Sequence, residues 1–297
     1  MEAFNNFVST INGFVWGPVM LCLLVGTHVF LTFRTGIIQR KTIKAIKLSV
    51  TPDKEASGDV SGFGALATAM AATIGTGNIV GVATAVGLGG PGSVLWVWLT
   101  GLFGMATKYS EAVLSIKYRV RAKDGSFIGG PMYALERGMG QKWLGVLFAV
   151  FTAIACFGIG NMTQGNSIAE SVQNTFGISK IITGVVLTVI TGLCILGGVQ
   201  SISKVCEKLV PFMAGFYILG CLIILFLNAK YIPDTFSVIF RSAFNPSAAG
   251  GAFVGVSIMT CIRYGVARGL FTNESGLGSA PIVDAAAATR NPSRQAL

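Results

Sequence analysis

Residues 72–90 read ATIGTGNIVGVATAVGLGG, an apolar stretch that contains six glycines and a polar GTGN segment in its middle. About 20 apolar residues cross the hydrocarbon core of a bilayer, so this stretch is long enough for most of a membrane span. Glycine weakens a helix by about 1 kcal/mol relative to alanine, and unpaired backbone groups are costly in hydrocarbon. The Gly75–Asn78 segment, which falls near the predicted midplane, therefore requires an explanation.

The whole chain has the composition of an integral membrane protein. Of its 297 residues, 52% are hydrophobic and 11% are charged, and the mean hydropathy is +0.69. A soluble domain is usually about one quarter charged. The sequence contains no HExxH, GxSxG or Walker A motif, and its single histidine, His28, has no histidine or cysteine partner nearby. These observations argue against an enzyme, and no organic cofactor is expected.

Seven apolar segments predict an all-α membrane protein with about seven transmembrane helices. The predicted spans are Val15–Phe33, Phe63–Leu88, Val94–Ile116, Trp143–Ile168, Ile181–Gly198, Leu209–Leu227 and Gly251–Phe271. The first span lacks a basic leading region and a small-residue cleavage site, so we interpret it as a retained helix and not as a signal peptide.

The distribution of basic residues predicts the orientation. Six basic residues lie in each of the loops 34–54 and 117–142, and sixteen in total fall on one predicted side against three on the other. Because basic loops remain in the cytoplasm, the N-terminus is expected outside the cell. The formal net charge of +10 then reflects topology and contact with the lipid bilayer, and it requires no nucleic-acid partner.

Two interpretations of the GTGN segment are open from its residues alone. In the first, the helix is broken as in secondary transporters, where free N–H groups face an anionic substrate group and free carbonyls face a cation. Gly75 and Gly77 would then allow close ligand approach, while Thr76 and Asn78 would add side-chain oxygens. In the second, Gly77 and the later glycines of the span form a helix-packing face.

Polar residues in other spans add further candidates. Transporters with inverted repeats carry a broken helix in each half, so a second interruption is expected in the seventh span if the second span opens the first repeat. Counting from Gly251, the midplane of the seventh span falls near Thr260–Gly265, beside Arg263, whose side chain either serves a site or forms a structural pair. The motif TNESGLGSAP at 272–281 is expected at the cytoplasmic end of this span. In the fourth span, the amide of Gln164 either lines a polar cavity or links helices.

Four motifs in order resemble those of the alanine/glycine:cation symporter family, also called sodium:alanine symporters or amino acid carrier proteins. They are GTGN at 75–78, GGPGSVLWVWLTGLFG at 89–104, GGPMYALERGMG at 129–140 and RGLFTNESGLGSAP at 268–281. The resemblance covers nearly all of the chain and favours the broken-helix interpretation.

The resemblance implies a LeuT-like inverted-repeat transporter fold within a single transmembrane domain, 1–297. An extra N-terminal helix would occupy residues 1–33, the first five-helix repeat 62–228, and the start of the second repeat 250–297. Family members continue beyond the point that corresponds to Leu297, so we expect this sequence to match a C-terminally truncated form with an incomplete fold.

The resemblance also implies the function and its residues. We expect sodium-coupled symport of alanine or glycine across the plasma membrane, with Na⁺ as the coupling ion or, in some members, a proton. The implied substrate-binding residues are Gly75, Thr76, Gly77, Asn78, Gln164 and Thr260, and the predicted sodium ligands are Thr73 and Asn78. A non-transporting fragment and a passive channel are the alternatives, although the sequence lacks the rings of like side chains that a channel would use.

Overall fold

The computed structural model describes residues 2–51, 56–245 and 257–297. Over these ranges the backbone is almost entirely helical, which confirms the predicted all-α class. The α-helices are α1 (Glu2–Val15), α2 (Pro18–Arg34), α3 (Thr42–Ser49), α4 (Gly62–Thr73), α5 (Val82–Gly89), α6 (Ser93–Lys117), α7 (Pro131–Tyr133), α8 (Lys142–Ala155), α9 (Thr163–Phe176), α10 (Lys180–Ile195), α11 (Gly198–Leu227), α12 (Ile232–Phe244), α13 (Ile258–Asn273), α14 (Ala280–Asp284) and α15 (Pro292–Ala296).

Short turns of other helix types lie between several of these elements. π-Helical turns occupy Gly77–Gly81, Ala134–Gly138 and Cys156–Met162. Two 3-10 turns occupy Ile38–Lys41 and Ala229–Tyr231. A π-helical turn contains one more residue than an α-helical turn and is frequently found at functional sites.

The N-terminal helix is bent. Helical backbone begins at Glu2, well before Val15, and is interrupted before α2, so that α1 and α2 form a pair bent by 42°. Gly17 is extended (φ −76°, ψ 176°), and Pro18 takes the first turn of α2. Proline suits this position, because the first N–H groups of a helix have no partner within it.

Fewer helices than the predicted seven are both long and apolar enough to cross a membrane. Among the described residues there are two, the continuous run Lys142–Phe176 and α11, or up to four if the pairs α1–α2 and Gly62–Thr73 with Gly77–Gly89 each count as one span. Helix α10 has only 16 residues, and α6 carries Lys108 and Glu111 among its 25. The predicted count of seven and the LeuT-like fold stay predictions.

The described chain divides into two compact units, whose boundaries differ from those of the predicted repeats. The first unit comprises residues 1–40, 77–107 and 220–276, and the second comprises 41–76, 108–219 and 277–297. The predicted division into 1–33, 62–228 and 250–297 stays a prediction.

Helix α13 is the central element of the first unit. It packs against α2, α5 and α12, and Leu21, Val266 and Leu270 form a buried apolar cluster at the contact with α2. A Cβ atom on Gly265 would lie 2.5 Å from the Cβ of Trp96. Only glycine therefore permits this close approach, as is common where membrane helices pack.

In the second unit, an arginine holds the backbone that follows α14. Val60 and Ala287 form a parallel β-bridge. The Arg119 Nη1 atom donates to the carbonyls of Ala285 (3.0 Å) and Ala287 (2.7 Å), and its Nη2 atom donates to the carbonyl of Thr289 (3.2 Å). One guanidinium thus satisfies three backbone acceptors near the end of a helix, where carbonyls lack partners within the helix.

A two-stranded hairpin adjoins the same arginine. Strands β1 (Val120–Arg121) and β2 (Phe127–Ile128) pair antiparallel directly after α6. The Phe127 N–H donates to Asp59 Oδ2 at 2.6 Å, and the Arg119 guanidinium lies 4.1 Å from the centre of the Phe127 ring. Burial lowers the pKa of Arg119 and Asp59 opposes this shift, but an arginine remains charged at neutral pH.

Candidate functional site

The helix of the second predicted span is interrupted at the GTGN segment, as predicted. Helix α4 ends at Thr73, Ile74 is extended (φ −91°, ψ 94°), and the π-helical turn Gly77–Gly81 precedes α5. A packing face would not require the helix to stop. The geometry therefore favours the broken-helix interpretation, in which free backbone groups at the break are available to a ligand.

In the second unit, Thr76 contacts Gln164 of α9. The Thr76 hydroxyl donates a hydrogen bond to Gln164 Oε1, and a Cβ atom on Gly75 would lie 3.7 Å from the same oxygen. The side-chain amide of Gln164 also carries two N–H donors. Three of the predicted substrate-binding residues thus form one polar cluster in this unit.

The two predicted sodium ligands lie at either end of the break. The Thr73 hydroxyl donates to the carbonyl of Ala69 at 2.6 Å within α4, so its oxygen lone pairs are the part that can coordinate a cation. Asn78 is half-buried in the π-helical turn. Within the described ranges, no group of three or more His, Cys, Asp or Glu side chains could hold a metal ion, and the sodium assignment stays a prediction.

In the first unit, Gly77 faces the end of α13. It is buried, and a Cβ atom on it would lie 3.3 Å from Thr272 Oγ1 and 3.4 Å from Cδ1 of Phe271. Thr272 Oγ1 is buried, and it makes no hydrogen bond within the part of the chain that the structure describes. Because buried polar atoms normally have a partner, this hydroxyl is available to a small polar ligand or to water.

Thr260, a predicted substrate-binding residue, lies far from this contact. It occupies the first turn of α13, where its hydroxyl pairs with the Ser257 hydroxyl at 2.8 Å. Twelve residues separate Thr260 from Thr272, which corresponds to about 18 Å along a helix. The structure therefore does not bring Thr260 to Gly77.

The predicted second interruption is also misplaced. Helix α13 is continuous from Ile258 to Asn273, so Arg263 lies within a regular helix. The backbone departs from helix only afterwards, where Glu274 (φ 51°) and Gly276 (φ 86°) adopt left-handed conformations. Residues 246–256, where the seventh span was predicted to begin, lie outside the described residues.

A buried histidine supports the turn that follows α13. His28 Nδ1 lies 2.7 Å from Thr107 Oγ1, and His28 Nε2 lies 3.5 Å from Ser275 Oγ. A Cβ atom on Gly104 would lie 2.5 Å from Ser275 Oγ, so glycine is required for Ser275 to occupy this position. The N-terminal helix α2 thus contributes to the packing of the turn beside Thr272.

Phe271 and Thr272 were absent from the predicted site residues. The signal for them was present in TNESGLG at 272–278, which combines polar residues with two glycines in the same manner as GTGN. His28 carried no such signal, because its partners lie 79 and 247 residues away in the sequence.

An interrupted helix with polar side chains at the break, in a strongly apolar chain, is the arrangement that secondary transporters use to bind substrates and ions. The chain belongs to the sodium:alanine symporter family, whose sequence profile matches residues 1–297. Membership indicates a multi-pass protein of the plasma membrane.

Individual relatives support this assignment. The chain is 56% identical to the sodium/alanine symporter AgcS of Methanococcus maripaludis, over 99% of this chain and 66% of the relative. It is 52% identical to an uncharacterized transporter of Haemophilus influenzae, over 99% of this chain and 65% of the relative. It is 41% identical to the uncharacterized transporter YflA of Bacillus subtilis, over 99% and 63%. The chain therefore spans slightly less than two thirds of the length of these relatives.

Proposed function

We propose that this protein transports alanine and other small neutral amino acids, including glycine, into the cell together with sodium. Family membership and the similarity to the sodium/alanine symporter AgcS support this proposal. The structural observation that carries it is the hydrogen bond from Thr76 to Gln164 at an interrupted helix. That contact ties a polar side chain of another helix to the backbone break that a substrate would use.

The proposed substrate site is the GTGN segment with Gln164. The substrate carboxylate accepts hydrogen bonds from free N–H groups after the break and from the Gln164 amide, because a helix start favours anions. The substrate ammonium group contacts carbonyls at the end of α4. Gly75 and Gly77 allow the ligand to approach the backbone closely.

Sodium is the proposed coupling ion. In this proposal, the side-chain oxygens of Thr73 and Asn78 coordinate Na⁺ with backbone carbonyls of the break, since hard cations prefer oxygen ligands. The LeuT-like repeat architecture and an external N-terminus with cytoplasmic basic loops belong to the same proposal.

Uptake of radiolabelled alanine into proteoliposomes that contain the full-length protein tests this function. We expect uptake with an inward sodium gradient, none when potassium replaces sodium, and competition by unlabelled glycine but not by leucine. Gln164→Ala serves as the matched variant, in which uptake at low alanine concentration should be reduced. Uptake that is independent of any ion gradient would instead identify a passive channel and contradict the proposal.

A further inference from the structure

Helix α3 (Thr42–Ser49) exposes an apolar face that no predicted span explains. Ile43, Ile46 and Val50 are 84%, 64% and 71% exposed, respectively. They stand at positions i, i+3 and i+7, so they share one side of the helix. Ala45 and Leu48 are less exposed and belong to a different side. Three large apolar side chains on one exposed face indicate that lipid or another protein surface shields this face from water.

Lysines flank this apolar face. Lys44 and Lys47 are exposed and lie one turn apart within α3, and exposed Lys41 precedes the helix by a single residue. The helix and its two flanking residues contain no acidic side chain that would neutralise them. A short helix with an apolar face and lysines beside it matches an interfacial helix, which lies in the headgroup layer of a membrane.

The position of α3 in the chain agrees with this placement. It follows the helix pair α1–α2 and precedes α4, and both belong to candidate membrane spans. Only seven residues separate Arg34 from Thr42, and a chain of that length reaches about 25 Å at most. Helix α3 must therefore lie close to the membrane surface from which the chain emerges.

A groove beside α3 offers room for lipid. It has a volume of about 760 Å³ and lies between α3, the start of α4 and the segment 288–297. Leu48, Phe63, Leu66 and Met70 supply apolar side chains to its wall. Arg294 also lines the groove, and its Nη2 atom donates to the carbonyl of Thr51 at 3.0 Å. The groove thus combines apolar walls with a cationic group.

We propose that α3 is an interfacial anchor that binds the surface of a leaflet rich in anionic phospholipid. Ile43, Ile46 and Val50 insert below the headgroups, while Lys41, Lys44 and Lys47 contact lipid phosphates. Zwitterionic lipid would bury the apolar face but would leave the lysines without an anionic partner. The lysines therefore favour anionic headgroups.

Spin-label accessibility in nanodiscs tests this anchor. Labels are placed singly at positions 43 and 46 of a cysteine-free full-length protein, with position 124, an exposed site in the hairpin, as the aqueous control. Nanodiscs contain phosphatidylcholine alone or mixed with phosphatidylglycerol. We expect the labels at 43 and 46 to become accessible to oxygen and protected from a water-soluble nickel chelate when phosphatidylglycerol is present, while the label at 124 remains accessible to nickel.

The lysines are tested separately with Lys44→Gln and Lys47→Gln. Each change should reduce the partitioning of α3 into the anionic surface by about fivefold. Three results would overturn the proposal: nickel access equal to that at position 124 in both lipids, protection from both reagents, which would mean that protein covers the face, or equal insertion in both lipids.

Discussion

The hydroxyl of Thr76 donates a hydrogen bond to Oε1 of Gln164, which lies 88 residues later in the chain. The contact joins the interrupted backbone after α4 to the first turn of α9. It fixes the Gln164 amide beside Gly75, whose missing side chain leaves the backbone accessible.

Replacing Gln164 with alanine should weaken alanine binding by about 1–3 kcal/mol, because the substrate carboxylate and the Thr76 hydroxyl both lose a partner. Isothermal titration of the purified protein with alanine in the presence of sodium measures this loss. Gln173→Ala, an exposed position on the same helix, is the matched control and should leave affinity unchanged. Binding of the Gln164 variant within twofold of wild type would make Gln164 a helix-linking residue only.

Gly77→Leu should abolish alanine binding while the protein still inserts into the membrane. A leucine there would collide with Thr272 and Phe271, which lie 3.3 and 3.4 Å from the position of its Cβ. Gly87→Leu is the control, since no atom lies within 4 Å of a Cβ at that exposed glycine. Equal binding by both variants would restore the interpretation of GTGN as a helix-packing face.

His28→Leu should lower the free energy of unfolding by about 1–3 kcal/mol, because the buried hydroxyls of Thr107 and Ser275 lose a polar partner. Denaturation in detergent micelles measures the change. His28→Asn keeps a polar atom near the position of Nδ1, so it should lose less. If the leucine variant is as stable as the protein with histidine, then His28 stabilises the fold only by filling space, and its hydrogen bonds make no net contribution.

Arg119→Lys should loosen the segment 285–289. One ammonium group cannot match the fork of donors that now reaches four carbonyls, three of them in the segment 285–289 and the fourth at Ser57. Hydrogen exchange should show local opening that is easier by about 1.5–3 kcal/mol. Arg121→Lys provides the control, because Arg121 is exposed and lies over the same Phe127 ring. Unchanged protection in the Arg119 variant would show that the β-bridge between Val60 and Ala287 is enough to hold this segment in place.

The orientation gives a further prediction. Cysteines introduced singly at Lys44 and Lys123 should be protected from an impermeant thiol reagent in intact cells, whereas a cysteine at Asp234 should react. The physical reason is the excess of basic residues in the loops 34–54 and 117–142. Reaction at position 44 from outside would reverse the topology.

The break at GTGN was predictable because its signal is local. Two glycines and two polar residues in an apolar stretch conflict with a continuous helix, and the structure ends α4 at Thr73. The contact between Gln164 and this break is different, because no spacing rule connects residues 88 positions apart. It was expected only from the resemblance to a family.

The second interruption was misplaced by counting. Ten residues from Gly251 led to Thr260, but the backbone departs from helix at Glu274, where glycines at 276 and 278 share its positive φ. Counting residues to the bilayer midplane requires that the first residue of the span is known. A glycine that adopts a positive φ, in contrast, marks the position of the interruption directly. The sequence did not predict the π-helical turns. The change from α-helical to π-helical backbone hydrogen bonds depends on the packing of neighbouring helices.

The π-helical turn at 156–162 contains one additional residue, and this residue determines which face of α9 is directed toward the GTGN break. Each residue of an α-helix turns the chain by about 100°, whereas a π-helical turn fits one extra residue into nearly the same total rotation, so a regular α-helix with the same number of residues would rotate everything after it by about 100°. Gln164 lies two residues past the turn and would move to a different face from Thr76. A homologue with one residue fewer in this segment should therefore form regular helix there and still present the equivalent of Gln164 to the GTGN break.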